Sequence, residues 1–107
     1  MLTRKFIEDK IQEKNNENVY NACLIELNKF IDGHYNSDIL SCITKKEERF
    51  FKVIGTYDFR HCGSLLSRLY VFYNLNKEKF GNNYIDFNDE FNKDKKCYEV
   101  YIIVKLH

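Results

Sequence analysis

The ten residues CYEVYIIVKL, Cys97 to Leu106, constrain the fold more than any other stretch of this 107-residue chain. Tyr98, Val100, Ile102, Val104 and Leu106 alternate with Glu99, Tyr101, Ile103 and Lys105, the period of two that sends successive side chains to opposite faces of a strand. The first set is apolar and reads as core-facing, whereas the second mixes apolar and charged residues and reads as a half-polar opposite face. Full burial of Val100, Ile102, Val104 and Leu106, at about 1.5–3 kcal/mol each, supplies roughly 6–12 kcal/mol before conformational entropy is subtracted. That is comparable with the whole net stability of a small domain, about 5–15 kcal/mol. A sheet built around this strand is therefore expected. Tyr101 and Ile103, apolar on the second face, call for a cover, either the segment 76–96 or another molecule. Were the strand at a sheet edge, its free backbone would recruit a second chain, as a homodimer or by strand addition.

Upstream, the apolar period is helical. Phe6, Ile7 and Ile11 recur among Arg4, Lys5, Glu8, Asp9, Lys10 and Glu13, predicting a short amphipathic helix from Thr3, its N-cap, to about Lys14. The cluster Asn15-Asn16-Glu17-Asn18 is expected to interrupt it. A second helix then carries Val19, Ala22, Cys23, Leu27, Phe30 and Ile31 on one stripe and ends at Gly33, placed for a left-handed cap. DILSCIT, 38–44, reads as a short strand joined by the charged turn 45–48 to a second strand, RFFKVIGTY, 49–57, in an antiparallel hairpin. Residues 65–75 fit both periods, and the β-branched and aromatic run LYVFY favours a strand. Residues 76–96 form a long polar excursion, read as a flap in which Tyr84, Phe87 and Phe91 share one side of a helical turn or two. The predicted architecture is one α+β domain spanning 1–107, with two N-terminal helices packed on a four-stranded, mainly antiparallel sheet and a long polar flap before the last strand.

Nine Phe and eight Tyr make the chain aromatic-rich, which implies an aromatic core or an aromatic contact surface. A net charge of +1 gives no global field for nucleic acid or membrane. No apolar run is long enough to span a bilayer and no signal peptide is read, so the expected location is the cytoplasm. The four cysteines, 23, 42, 62 and 97, lie far apart, as reduced thiols do.

Motifs for chemistry are sparse. His61-Cys62, in a loop with Asp58, Arg60 and Ser64, is the sharpest pairing of nucleophile and base, yet adjacent residues on an extended backbone point opposite ways. The Cys and His residues, which include His34 and His107, lack the paired spacing of a metal site. Asp86, Asp89 and Glu90 lack the pattern of a calcium loop, and Gly63-Ser64 lacks that of a phosphate loop. Neither cofactor nor metal is expected, and the chain reads as non-enzymatic. Charge patterning says more. From Lys45 to Arg68, six basic side chains (Lys45, Lys46, Arg49, Lys52, Arg60, Arg68) face three acidic ones, a candidate nucleic-acid-binding set interleaved with Phe50, Phe51 and Tyr57. The flap carries the opposite sign, and its Tyr84, Asp86, Phe87, Asp89, Glu90 and Phe91 form a candidate protein-binding set with rings as anchors and carboxylates as steering charges. The leading expectation is a small protein-binding module that inhibits a partner by occupying its surface, for instance a phage or mobile-element inhibitor of a host nucleic-acid machine. The alternatives are nucleic-acid binding through 45–68 and a small enzyme using His61 and Cys62.

Overall fold

A computed structural model of the protein describes residues 3–58, 64–81 and 83–106. Helix α1 (Arg4–Ile31) leads into α2 (Asn36–Thr44), strand β1 (Arg49–Tyr57), helix α3 (Ser64–Leu75), a single 3-10 turn (Lys77–Phe80), and the hairpin β2 (Tyr84–Asn92) and β3 (Cys97–Lys105). The sheet order is β1-β3-β2, antiparallel throughout, with Phe50 opposite Val104 on one side and Ile85 opposite the same Val104 on the other. The strand CYEVYIIVKL is therefore central. Both its edges are hydrogen-bonded, which removes the expectation that β3 recruits a second chain.

Val100, Ile102 and Val104 have no exposed surface, and together with Phe50, Ile54, Ile85 and Phe87 they form the sheet's inner face. Helices α1 and α3 lie across it through Cys23, Leu27 and Phe30 and through Leu65, Leu69 and Tyr73. Phe80, from the 3-10 turn, closes the layer, with its ring 5.6 Å from Phe30 and 5.2 Å from Tyr73. Much of the aromatic content is thus core.

The general α+β class is as expected, but four assignments are corrected. Helix α1 is one helix of 28 residues, because each Asn at 15, 16 and 18 costs only fractions of a kcal/mol in a helix already propagating. The turn across the expected break is held by Gln12, whose amide donates to Asn16. Thr3 does cap it, accepting from the Phe6 N–H at 3.1 Å, and Gly33 at φ 85° does end it: His34 N–H donates to the Lys29 carbonyl and Gly33 N–H to that of Phe30.

Residues 38–44 belong to α2 rather than to a strand. Seven residues are too few for periodicity to decide, and Ile39 and Cys42, one helical turn apart, both pack on the core. Residues 65–75 are helical too, because burying Leu65, Leu69 and Tyr73 at spacings of four outweighs the modest β propensity of LYVFY. The flap is strand β2, so the sheet has three strands instead of four and β1 pairs with β3. The missed signal is the turn: Asn92 accepts from the Asp94 and Lys95 N–H groups, Lys96 takes φ 54°, and two alternating runs are joined as a hairpin.

Between Val53 and Gly55 the register of β1 shifts by a bulge, which places Ile54 and Gly55 together on the helix side. A Cβ on Gly55 would lie 2.7 Å from Cys23 Sγ, so the bare glycine is what lets α1 approach the strand. Gly55→Ala is expected to cost about 1–3 kcal/mol, and adding Cys23→Ala, which removes the clashing sulfur, should recover part of that loss in urea unfolding. Strictly additive costs would show that the close approach is not what requires the glycine.

Candidate functional site

Helices cover one face of the sheet, and its other face is bare among the described residues. By register, Phe51 and Val53 of β1, Tyr101 and Ile103 of β3, and Tyr84 and Asn88 of β2 project there. Phe51 sits opposite Ile103 and Val53 opposite Tyr101, forming a contiguous apolar strip across two strands. Phe51 is 55 % exposed and Tyr84 74 %, while Tyr101, Ile103 and Val53 are half-buried only by their neighbours. Arg49 and Lys105 stand at one end of the strip and Glu90 and Glu99 at the other.

The acidic end is structured. Glu99 is 8 % exposed, accepts from the Asn92 amide at 2.7 Å and lies 3.7 Å from Lys95 Nζ. The Asn92 hydrogen bond, aided by Lys95 and Tyr101 against the cost of burial, holds its carboxyl below the ordinary value. The Tyr101 hydroxyl is pushed up, first by burial and then by the charges of Glu99 and Glu90.

The two outer edges of the sheet differ. The Tyr70 hydroxyl of α3 reaches the free edge of β2, donating to Asp86 and lying 3.2 Å from both the N–H and the carbonyl oxygen of Phe87. Asp86 and Asn88 also accept from the backbone N–H that follows each, those of Phe87 and Asp89, at 2.9 Å. That edge is plugged by its own side chains.

The sheet divides the six residues expected as a protein-binding flap. Tyr84, Asp86 and Glu90 fall on the open face. Phe87 is in the core, and Asp89 and Phe91 lie on the helix side, with Asp89 accepting from the Tyr57 hydroxyl and the Phe91 ring against Tyr98. The basic set does not converge either. Arg68 is held by both carboxylate oxygens of Glu17 and lies 3.7 Å over the Tyr20 ring, and Lys52 lies over the Tyr35 ring. Lys45, Lys46 and Arg49 are exposed around the turn into β1, beside Glu47 and Glu48. Arg60, His61 and Cys62 lie outside the described residues. The open strip was legible only through Tyr101 and Ile103, because Phe51 and Val53 join it by a pairing the sequence does not announce.

Among the described residues no cluster of three or more His, Cys, Asp or Glu side chains is placed to hold a metal ion, and no helix is long and apolar enough to cross a membrane. Cys23, Cys42 and Cys97 are free thiols, and burial pushes that of Cys23 up to about 11, so this thiol is not an activated nucleophile. A cavity of about 430 Å³ beside the 3-10 turn is lined by Tyr73, Lys77, Glu78 and Tyr84 among others, with neither Cys nor His among the described residues of its wall. No family model matches the chain, and no curated protein or solved structure matches it.

Two outcomes are expected. Tyr70→Phe should speed hydrogen exchange at the Phe87 amide and cost about 0.5–1.5 kcal/mol, with unchanged exchange there showing that the hydroxyl does not seal the edge. Because Glu99 titrates lower when folded than its ordinary 4.5, its contribution to stability is present above that pH and is lost as pH falls through the folded value. Glu99→Gln should therefore flatten the acid limb of the stability profile, measured as urea midpoint against pH.

Proposed function

We propose that the protein is a non-enzymatic binding module that docks a protein partner on the open face of its sheet. The observation that carries this reading is the strip Phe51, Val53, Tyr101 and Ile103, apolar and covered by no helix among the described residues although the same chain buries its other sheet face under two helices. A soluble domain does not leave a contiguous apolar strip on a sheet without cost, and such strips are characteristic of contact surfaces. The rim supports the same partner class. Tyr84, Asp86 and Glu90 add a ring and carboxylates beside the strip, the combination in which buried rings anchor and peripheral charges steer. An inhibitor that works by covering its partner's surface needs nothing further.

Nucleic acid is the second reading, favoured by Phe51, Tyr84 and Tyr101 as stacking surfaces near Arg49 and Lys105. The carboxylates of Asp86, Glu90 and Glu99 on the same face oppose phosphate, and Arg68 is already paired with Glu17.

Ile103→Lys places a charge in the centre of the strip at a half-buried position opposite Asp86, where the opposite sign offsets part of the lost apolar contact, so the variant is expected to fold with a modestly lowered unfolding midpoint. In affinity capture from cells that naturally make the protein, partners enriched on the wild type should be lost by this variant. Equal capture by both would overturn the open-face reading. Retardation of RNA or DNA that strengthens as salt falls would support the second reading instead.

A further inference from the structure

The bonding pattern at β2 fixes which backbone groups are free at β1. Phe87 directs its N–H and carbonyl to Tyr70, away from β3, so Phe87 and Ile102 are a non-hydrogen-bonded pair. Ile102 then directs its own backbone groups to β1, where it pairs with Lys52, and the Leu106 N–H bond to the Glu48 carbonyl continues the same phase. The alternate residues of β1, Arg49, Phe51 and Val53, consequently aim their N–H and carbonyl groups outward from the sheet. No turn, cap or side-chain bond among the described residues meets those of Phe51 or Val53. Where β2's edge is sealed, β1's is open over the five residues before the bulge.

Beside that edge runs a groove of about 450 Å³ between α2 and β1, lined by Asp38, Ser41, Cys42, Arg49, Phe51 and Lys52, among others. An outward row of alternating donors and acceptors, bordered by a helix, is complementary to one thing, an extended backbone. We infer that an extended segment of the partner adds to the sheet as a fourth strand alongside Arg49–Val53, in the groove between α2 and β1. One side of that segment would continue the open-face strip next to Phe51 and Val53, which calls for apolar residues at alternate positions. The groove wall carries both signs, Asp38 and Glu47 against Arg49 and Lys52, so the complementary segment is one that sets a carboxylate beside Arg49 and Lys52 on the strand; a second copy of this chain adding through β1 would instead bring Arg49 and Lys52 again with no acidic residue of its own strand. The inference rests on the binding-module reading and specifies how its partner is held.

The test uses random twelve-residue peptides displayed on phage, selected on the full chain and counter-selected on Phe51→Pro, which removes one outward N–H while costing the β1–β3 ladder no bond. A selected peptide, synthesised free, should slow hydrogen exchange at the Phe51 and Val53 amides by tenfold or more and leave Phe87 unchanged. Methylating the peptide's backbone nitrogens one at a time should weaken binding by tenfold or more at alternate positions and little at those between, a readout that does not depend on how well Phe51→Pro folds. Three results would overturn the inference: no binder selected by the wild type over the variant, binders that leave the Phe51 and Val53 amides exchanging freely, or protection of those amides that grows with protein concentration alone, which identifies a second copy as the occupant. If Ile103→Lys abolishes capture while these amides stay free in the complex captured by the wild type, the open-face reading stands and strand addition fails.

Discussion

Strand β3 can be central only because its two faces and two edges are used differently. Its even-numbered side chains, Val100, Ile102 and Val104, are wholly buried and together account for roughly 5–9 kcal/mol of apolar burial. Its backbone is bonded on both sides, so β1 and β2 meet only through it. Each outer strand also brings its own inward residues, Phe50 and Ile54 from β1 and Ile85 and Phe87 from β2, to the layer that β3 begins. Nothing in the fold survives without this strand, since removing it would leave two unpaired ribbons and helices with no surface to bury against.

The helices answer that surface unequally. The C-terminal half of α1 is seated, through Cys23, Leu27 and Phe30, and comes close enough to β1 that a glycine is needed beneath it. Its N-terminal half runs out with Phe6, Ile7 and Ile11 about half exposed, which gives the molecule its 59 Å long axis. Between the halves, Glu17 holds Arg68 of α3, an exposed pair that aligns two helices more than it stabilises them. Helix α3 in turn supplies Tyr70, so the element that packs on the core also closes the β2 edge.

That closure gives the functional reading its shape. A three-stranded sheet has two edges and two faces to dispose of. Here one face is core and one edge is capped by a tyrosine hydroxyl and two neighbouring polar side chains, while the remaining face and edge adjoin one another at Phe51 and Val53. The apolar strip and the open backbone row therefore form one continuous surface, flanked on the β2 side by Asp86 and Asn88. The aromatic residues divide along the same line. Phe30, Phe50, Phe80 and Phe87 fill the core, and Phe51, Tyr84 and Tyr101 look outward.

The sequence by itself determined the elements whose own period was long and unambiguous: β3 with its buried face, β1 from Arg49 to Tyr57, and the helical stripe from Val19 to Ile31 with Gly33 as its C-terminal cap, together with Thr3 as an N-cap, though of a helix expected to stop near Lys14. These are read from local rules, because alternation, helical spacing and capping all depend on neighbours in the chain. Elsewhere local rules conflicted and tertiary packing chose. Seven residues at 38–44 and the run LYVFY carried strand propensities of a few tenths of a kcal/mol per residue, too little against the burial gained by turning Ile39 and Cys42, or Leu65, Leu69 and Tyr73, onto a common core. The acidic flap became a strand because Ile85 and Phe87 could complete the inner face of β3. The candidate site followed the same logic: Tyr101 and Ile103 were visible from alternation, whereas Phe51 and Val53 joined them only through a pairing across fifty residues of sequence, and which edge stays open was decided by where α3 happens to place Tyr70.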